Sequence, residues 1–182
     1  LAGRIEHRRE ATEPRHQRRQ TQQGHGPEIS LLAAVEAVRR RGSCLGFAVD
    51  PDADRVTLVD DSGRPVGEDY TLALAVRTVT ALRPGTVVTT LSTSQVVTDV
   101  AHAHGCPVVL TPVGEVHVIE KMLEEQAVIG GEGNGGVILP EVNPGRDAAV
   151  GLSLVLQALA HSGQTLQQLL AALPRYFIEK RK

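Results

Sequence analysis

From Thr86 onward, short apolar runs rich in Val and Thr alternate with longer runs that repeat at helical spacing. "TVVTTL" is followed by "STSQVVTDVAHAHG", and "PVVLTPV" by "GEVHVIEKMLEEQ". Strands that are apolar without a polar alternation must be covered on both faces, and a helix between successive strands lets them run parallel. This order predicts an α/β layered domain with a mainly parallel sheet. Ser92, Thr93 and Ser94 directly follow the strand ending at Leu91 and supply an N-cap for the next helix.

Flanking segments extend the pattern. "EISLLAAVEAVRRRG" places Leu31, Leu32, Val35 and Val38 at helical spacing and closes with basic residues and a glycine. "CLGFAVD" predicts a short buried strand, and "RVTLVDDSGRP" a strand running into a turn. "EDYTLALAVRTVTALRPG" predicts an amphipathic or buried helix stopped by Pro84 and Gly85. A glycine-rich loop, "GGEGNGGVILPEVNPGRDAA", precedes two helices, "AAVGLSLVLQALAHSG" and "TLQQLLAALP", and a polar strand, "RYFIEKRK". Residues 1–26 differ: Arg, Gln and His dominate, aliphatics are scarce, and neither periodicity is present. Such a stretch buries too little apolar area to offset its ordering entropy, so it is expected to be irregular.

The composition narrows the function. Aromatics are 2 % with no Trp, so base stacking has no material, and a net charge of -2 gives no global attraction to nucleic acid or anionic lipid. No apolar run approaches the ~18 residues of a membrane span, and no apolar core follows the basic N-terminal residues. Cys44 and Cys106 lack metal-ligand spacing and are expected as small buried residues. A cytoplasmic location is expected.

The chemistry concentrates in "DPDADR". Asp50, Asp52 and Asp54 stand at alternate positions directly after a strand, with Arg55 beside them. Like charges at this spacing destabilise a loop unless a cation offsets them, and alternating carboxylates suit a hard ion such as Mg²⁺ or Ca²⁺. A calcium EF-hand starting at Asp50 needs Gly at its sixth position and Glu at its twelfth. Arg55 and Asp61 occupy those places, so that motif fails. An aspartyl-phosphate phosphatase loop shares the strand and paired acids but continues with Gly-Thr rather than Asp54-Arg55. The reading that accounts for all four residues is Mg²⁺ beside a phosphate, with arginine gripping the same group.

Three further segments join it. In "GGEGNGGV" five of eight residues are glycine, and Glu132 and Asn134 alternate, which suits bidentate hydrogen bonding to adjacent sugar hydroxyls. Thr111, Pro112 and Gly114 form a strand-to-helix turn whose amides can receive an anion, although Glu115 at the helix start would repel one. His117 follows in that helix. "NPGRDAA" sets Asp147 as a natural N-cap and leaves Arg146 as either a ligand contact or a salt-bridge partner.

"DPDADR", "TPVGE" and "GGEGNGG…GRDA", in this order and separation, resemble the α-D-phosphohexomutase superfamily of phosphoglucomutases and phosphomannomutases, over roughly residues 27–182. The resemblance implies a three-layer α/β/α sandwich with a mixed, mainly parallel sheet over residues 66–174. Before it would come the end of a second α/β domain over 27–65, and after it, from 175, a linker to a fourth domain. It implies Mg²⁺ on Asp50, Asp52 and Asp54, Arg55 at the reacting phosphoryl group, and Glu132 and Asn134 in the sugar-reading loop, with Thr111, Gly114 and Arg146 on the substrate side. Relatives often carry Ser where Asn134 stands and His where Gly136 stands. The implied substrates are mannose, glucose or glucosamine phosphates, and the family's phosphoserine loop and arginine-rich fourth-domain loop are not found in this sequence. A chain of this content is expected to be inactive alone. The alternatives are an aspartyl-phosphate phosphatase of the haloacid-dehalogenase type and a non-catalytic sugar-phosphate binding module.

Overall fold

In a computed structural model, residues 5–9 and 27–180 are described. The central sheet has four strands in the order β5 (Val108–Thr111), β4 (Val87–Thr90), β6 (Ile129–Glu132), β7 (Gly136–Ile138). β4 runs parallel to both β5 and β6, and β7 returns antiparallel to β6. The sheet is thus mixed and mostly parallel, as the alternation of elements predicts.

Alternate residues of β4 and of the β6–β7 hairpin feed opposite cores. Val87, Ile129 and Val137 join one apolar cluster with α2 (Glu68–Leu82), α3 (Gln95–Ala103) and α5 (Ala148–Ser162), while Val88 and Ile138 join a smaller one under α4 (Glu115–Glu124). Helices therefore cover both faces. β4 and β6 are buried at all four positions, which explains why they show no polar alternation. α2 is buried over most of its circumference, and its Thr78 and Thr80 hydroxyls bond back to the Leu74 and Val76 carbonyls at 2.8 and 2.7 Å. Caps fall where the sequence sets them: Ser94 accepts from the Val96 amide, and Asp147 from those of Ala149 and Val150. The short α6 (Leu166–Ala171) opens on a capping box of Thr165 and Gln168.

Ahead of this sandwich, α1 (Pro27–Arg41) packs on a two-stranded antiparallel ribbon, β2 (Gly46–Val49) with β3 (Val56–Val59). The ribbon register pairs Val49 with Val56, so the aspartate motif is the hairpin loop between them. Asp60 ends β3 in a turn, its Oδ1 accepting from the Ser62 and Arg64 amides, both at 2.9 Å.

Four expectations need correction. β2 is not a buried strand: Phe47 is 50 % exposed, because only one face of this narrow ribbon is covered. Cys44 is exposed in the loop leaving α1, while Cys106 is buried as expected. "GGEGNGGV" is not all loop, since β6 and β7 run through it. A Cβ on Gly130 would lie 2.7 Å from the Val88 carbonyl oxygen, and one on Gly131 2.2 Å from that of Gly136. Glycine marks close backbone approach here, which local propensity reports as a break. Lastly, β1 (Ile5–Arg9) pairs antiparallel with β8 (Tyr176–Lys180), so part of the irregular N-terminal stretch is a strand whose order comes from a long-range backbone ladder. The remainder of residues 1–26, and residues 181–182, lie outside the described residues. Among the described residues no helix is long and apolar enough to cross a membrane.

Candidate active site

The aspartate loop closes on itself through Asp50. Its Oδ1 accepts the amides of Asp54 and Arg55, both at 3.2 Å, and its Oδ2 takes the Arg55 Nε–H at 2.8 Å. Ala53 completes the turn in the left-handed region, at φ 58°. Burial by itself pushes the Asp50 carboxyl upward. Its bonds to Arg55 and its contact with Asp54 outweigh that and hold it below the usual carboxylate value. Asp54 moves the other way: burial and the neighbouring Asp50 raise it, and Arg146 only partly opposes them.

Two backbone bonds seat this loop on the sandwich. The Val56 amide donates to the Gly135 carbonyl at 3.2 Å, and the Ala148 amide to that of Ala53 at 3.0 Å. The glycine-rich hairpin and the N-terminus of α5 are thereby fixed beside the aspartates. Glu132 ends β6 as a buried carboxylate, 5 % exposed. Its Oε1 accepts from the Gly114 amide at 3.1 Å, and its Oε2 from Arg146 Nη1 at 2.6 Å and from Asn134 Nδ2 at 3.4 Å.

Arg146 is the hub. Besides Glu132 it pairs with Asp54 through Nη2, and its Nε lies 3.5 Å from Glu115 Oε2. Its backbone amide also donates to Glu115 Oε1 at 2.8 Å. Under the hairpin lies a floor of hydroxyls: Thr93 Oγ1 accepts the Gly133 amide at 3.1 Å and sits 2.8 Å from Thr89 Oγ1 and 3.0 Å from Thr90 Oγ1. Asp69 Oδ1 receives the Ser94 amide at 2.8 Å beside Gly133.

The fold therefore brings Asp50, Asp54, Arg55, Glu132, Asn134, Gly114 and Arg146 into one hydrogen-bonded neighbourhood. Asp52 stays exposed at the loop tip, and among the described residues no three His, Cys, Asp or Glu side chains gather as a metal cage. Thr111 is buried, its hydroxyl turned to the Pro112 carbonyl at 3.0 Å, and His117 is exposed. The Gly114 amide, open to an anion on sequence grounds, is occupied by Glu132. Glu115 and Thr93, read from the sequence only as a helix-start acid and as part of an N-cap run, owe their place in the site to contacts with distant segments. The one local hint is a glutamate at the opening of a strand-to-helix turn.

The donor set fits a hard dication. Asp50 and Asp54 lie side by side on Arg55, whose Nε is 2.8 Å from the first carboxylate and 3.5 Å from the second. Across the ion-pair network, four carboxylates (Asp50, Asp54, Glu115, Glu132) face two guanidinium groups, Arg55 and Arg146. Two negative charges remain uncompensated in a partly buried setting, the deficit that one divalent cation on oxygen ligands neutralises.

An alternating α/β sandwich with an aspartate hairpin docked on a glycine-rich loop matches a defined family. The model for the phosphoglucomutase/phosphomannomutase α/β/α domain III matches residues 67–177, and the chain belongs to that family. It is 39 % identical over 158 residues to a phosphoglucomutase/phosphomannomutase of Thermococcus kodakarensis, covering 85 % of this chain and 34 % of that protein. It is 38 % identical over 148 residues to a probable phosphoglucosamine mutase of Methanopyrus kandleri, covering 81 % and 33 %. The crystal structure of a putative phosphomannomutase from Thermus thermophilus superposes with a TM-score of 0.66 at 28 % identity, over 78 % of this chain and 32 % of that one. A family protein from Burkholderia thailandensis shares the fold at a TM-score of 0.70 and 22 % identity, over 81 % and 32 %. The chain thus spans about a third of the length of these curated relatives.

Proposed function

We propose that this chain is the metal-loop and sugar-recognition segment of a phosphohexomutase, which interconverts hexose 1-phosphates and 6-phosphates through an enzyme phosphoserine and a bisphosphate intermediate. The observation that carries the reading is the seating of the aspartate loop against the Glu132 loop, bridged by Arg146. Glucose, mannose and glucosamine phosphates are the substrate class, in keeping with the names of the relatives.

Asp50 and Asp54 would hold Mg²⁺. The ion would supply Lewis-acid stabilisation to a transferring phosphoryl group. The chain's own residues do the positioning. Asp50 fixes Arg55 through its Nε, leaving the outer guanidinium edge for phosphoryl oxygens. Glu132, held by the Gly114 amide and Arg146, would keep Asn134 beside it for sugar hydroxyls, and the buried Thr93 floor keeps their loop from drifting.

The test is calorimetric titration of the 182-residue chain with glucose 1-phosphate, mannose 1-phosphate and glucosamine 1-phosphate, with and without Mg²⁺. Binding of at least one, weakened in Glu132→Gln, is expected. Absence of binding for all three overturns the sugar-recognition reading. No mutase turnover is expected from the chain alone, and detectable turnover would show that the phosphoryl donor lies within it.

A further inference from the structure

Arg146 meets three carboxylates from three separate segments: Asp54 of the aspartate loop, Glu115 at the start of α4 and Glu132 of the glycine-rich hairpin. Its side chain is only 16 % exposed, and Nη1, Nη2 and Nε each face a different acid. In this arrangement Glu132 and Asp54 take Nη1 and Nη2, and the Nε–H is buried without a hydrogen-bond acceptor. At the same time, one of the two paired aspartates that suit a divalent cation is already held by an internal cation.

We infer that Arg146 Nη2 and the divalent cation compete for Asp54, so that loading the cation releases this edge of Arg146 to take an oxygen of an anionic substrate. The inference rests on the assignment of the metal to the aspartate loop. It follows from charge and geometry. Asp54 Oδ2 cannot give its best lone-pair direction to a guanidinium and to a metal at once. A fixed positive charge a few ångströms from a dication also opposes its binding. Glu132 would retain Arg146 through Nη1 and Glu115 through its backbone amide, so the release frees the Nη2 edge without loss of the residue. Metal and anionic substrate would then assist one another's binding, since coupling between two sites is reciprocal. Arg146 is in this sense a positioning residue that reports the state of the aspartate loop to the sugar loop.

The test is Mg²⁺ titration of the full chain by calorimetry, comparing wild type with Arg146→Gln and Arg146→Lys, with folding checked by circular dichroism. Removal of a nearby unit charge should tighten Mg²⁺ binding in Arg146→Gln by about tenfold after solvent screening. Arg146→Lys, which keeps the charge, should stay close to wild type. A structural role alone would instead weaken binding in both variants, and that result, or unchanged affinity in Arg146→Gln, overturns the inference while leaving the metal assignment intact. No Mg²⁺ binding by wild type overturns the metal assignment, and the competition with it. Should Arg146→Gln fail to fold, the wild-type chain decides by itself. The Arg146 side-chain Nε–H resonance, assigned by its absence in Arg146→Lys, should move as Mg²⁺ saturates the loop, and a stationary resonance sinks the competition.

Discussion

The Val56 amide donates to the Gly135 carbonyl at 3.2 Å, so the first residue after the aspartate loop is tied to the tip of the glycine-rich hairpin. Gly135 makes this contact at φ +88°, and a Cβ there would lie 2.6 Å from the Val56 carbonyl oxygen. Both conditions demand glycine. Gly135→Ala should cost about 1–3 kcal/mol from the backbone conformation alone, with the clash adding to it. At about 2–4 °C per kcal/mol for a chain of this size, the melting temperature should fall by several degrees. An unchanged melting curve would show that the two loops are not locked together as described.

Thr93 provides a second lock from below. Its Oγ1 accepts the Gly133 amide at 3.1 Å within a group of buried hydroxyls. Thr93→Val keeps the shape but strands the Gly133 amide, a loss of about 1–3 kcal/mol for a buried unsatisfied donor. Thr93→Ser, which retains the oxygen, should lose less. Chemical denaturation of the two variants separates hydroxyl from methyl, and equal losses would contradict the hydrogen-bond account.

Asp147 links stability to pH. Its carboxylate accepts from Asn143 Nδ2 at 3.0 Å and from the Ala149 and Val150 amides at 2.8 and 3.1 Å. The Asn143 bond first, then the Val150 amide, holds its pKa below the ordinary carboxylate value. A folded-state pKa below the unfolded one favours the charged form in the native state. The resulting stability is complete above the unfolded value of about 3.9 and is lost as pH falls through the lower folded value. Asp147→Ala should therefore cost about 1 kcal/mol at neutral pH, typical of an N-cap. The gap to wild type should narrow in acid, measured by urea unfolding at both pH values; a gap that widens on acidification would refute the sign.

Much of this was legible in the sequence, for a physical reason. Val87, Val88, Leu72 and Ile129 belong to elements whose order comes from local patterns that burial enforces, so the sandwich could be read from periodicity. The same holds for the caps at Ser94 and Asp147, whose partners are two or three residues away. Gly130 and Gly131 misled because glycine in a strand signals a close backbone neighbour that only the fold supplies. Glu132 and Arg146 were legible as chemistry but not as a pair: their contact needs the hairpin, the turn after it and the N-terminus of α5 together. Asp52 illustrates the reverse limit. Alternate spacing promises convergence, yet the turn at Ala53 and the pull of Arg55 on Asp50 leave it exposed at the tip.

Two ion pairs allow magnitude to separate architecture from decoration. Glu132 and Arg146 have side chains 7 % and 16 % exposed, whereas Arg83 and Glu141, also paired, are 42 % and 63 % exposed. An exposed pair contributes about 0–1 kcal/mol, because solvent screens the attraction and ordering two long side chains offsets the rest. Removing one partner of a buried pair leaves the other charge without compensation. Here Arg146 keeps Asp54 and Glu115, so Glu132→Ala should cost about 2–3 kcal/mol rather than the larger loss of a fully orphaned charge. Glu141→Ala should change stability by less than about 1 kcal/mol. Raising ionic strength should shrink the Glu141 effect and leave that of Glu132 nearly constant, since buried pairs are screened far less. Denaturant midpoints for both variants at low and high salt decide it. Comparable losses at the two positions would mean that the Glu132–Arg146 contact is a surface ion pair and not a brace between the glycine-rich hairpin and the start of α5.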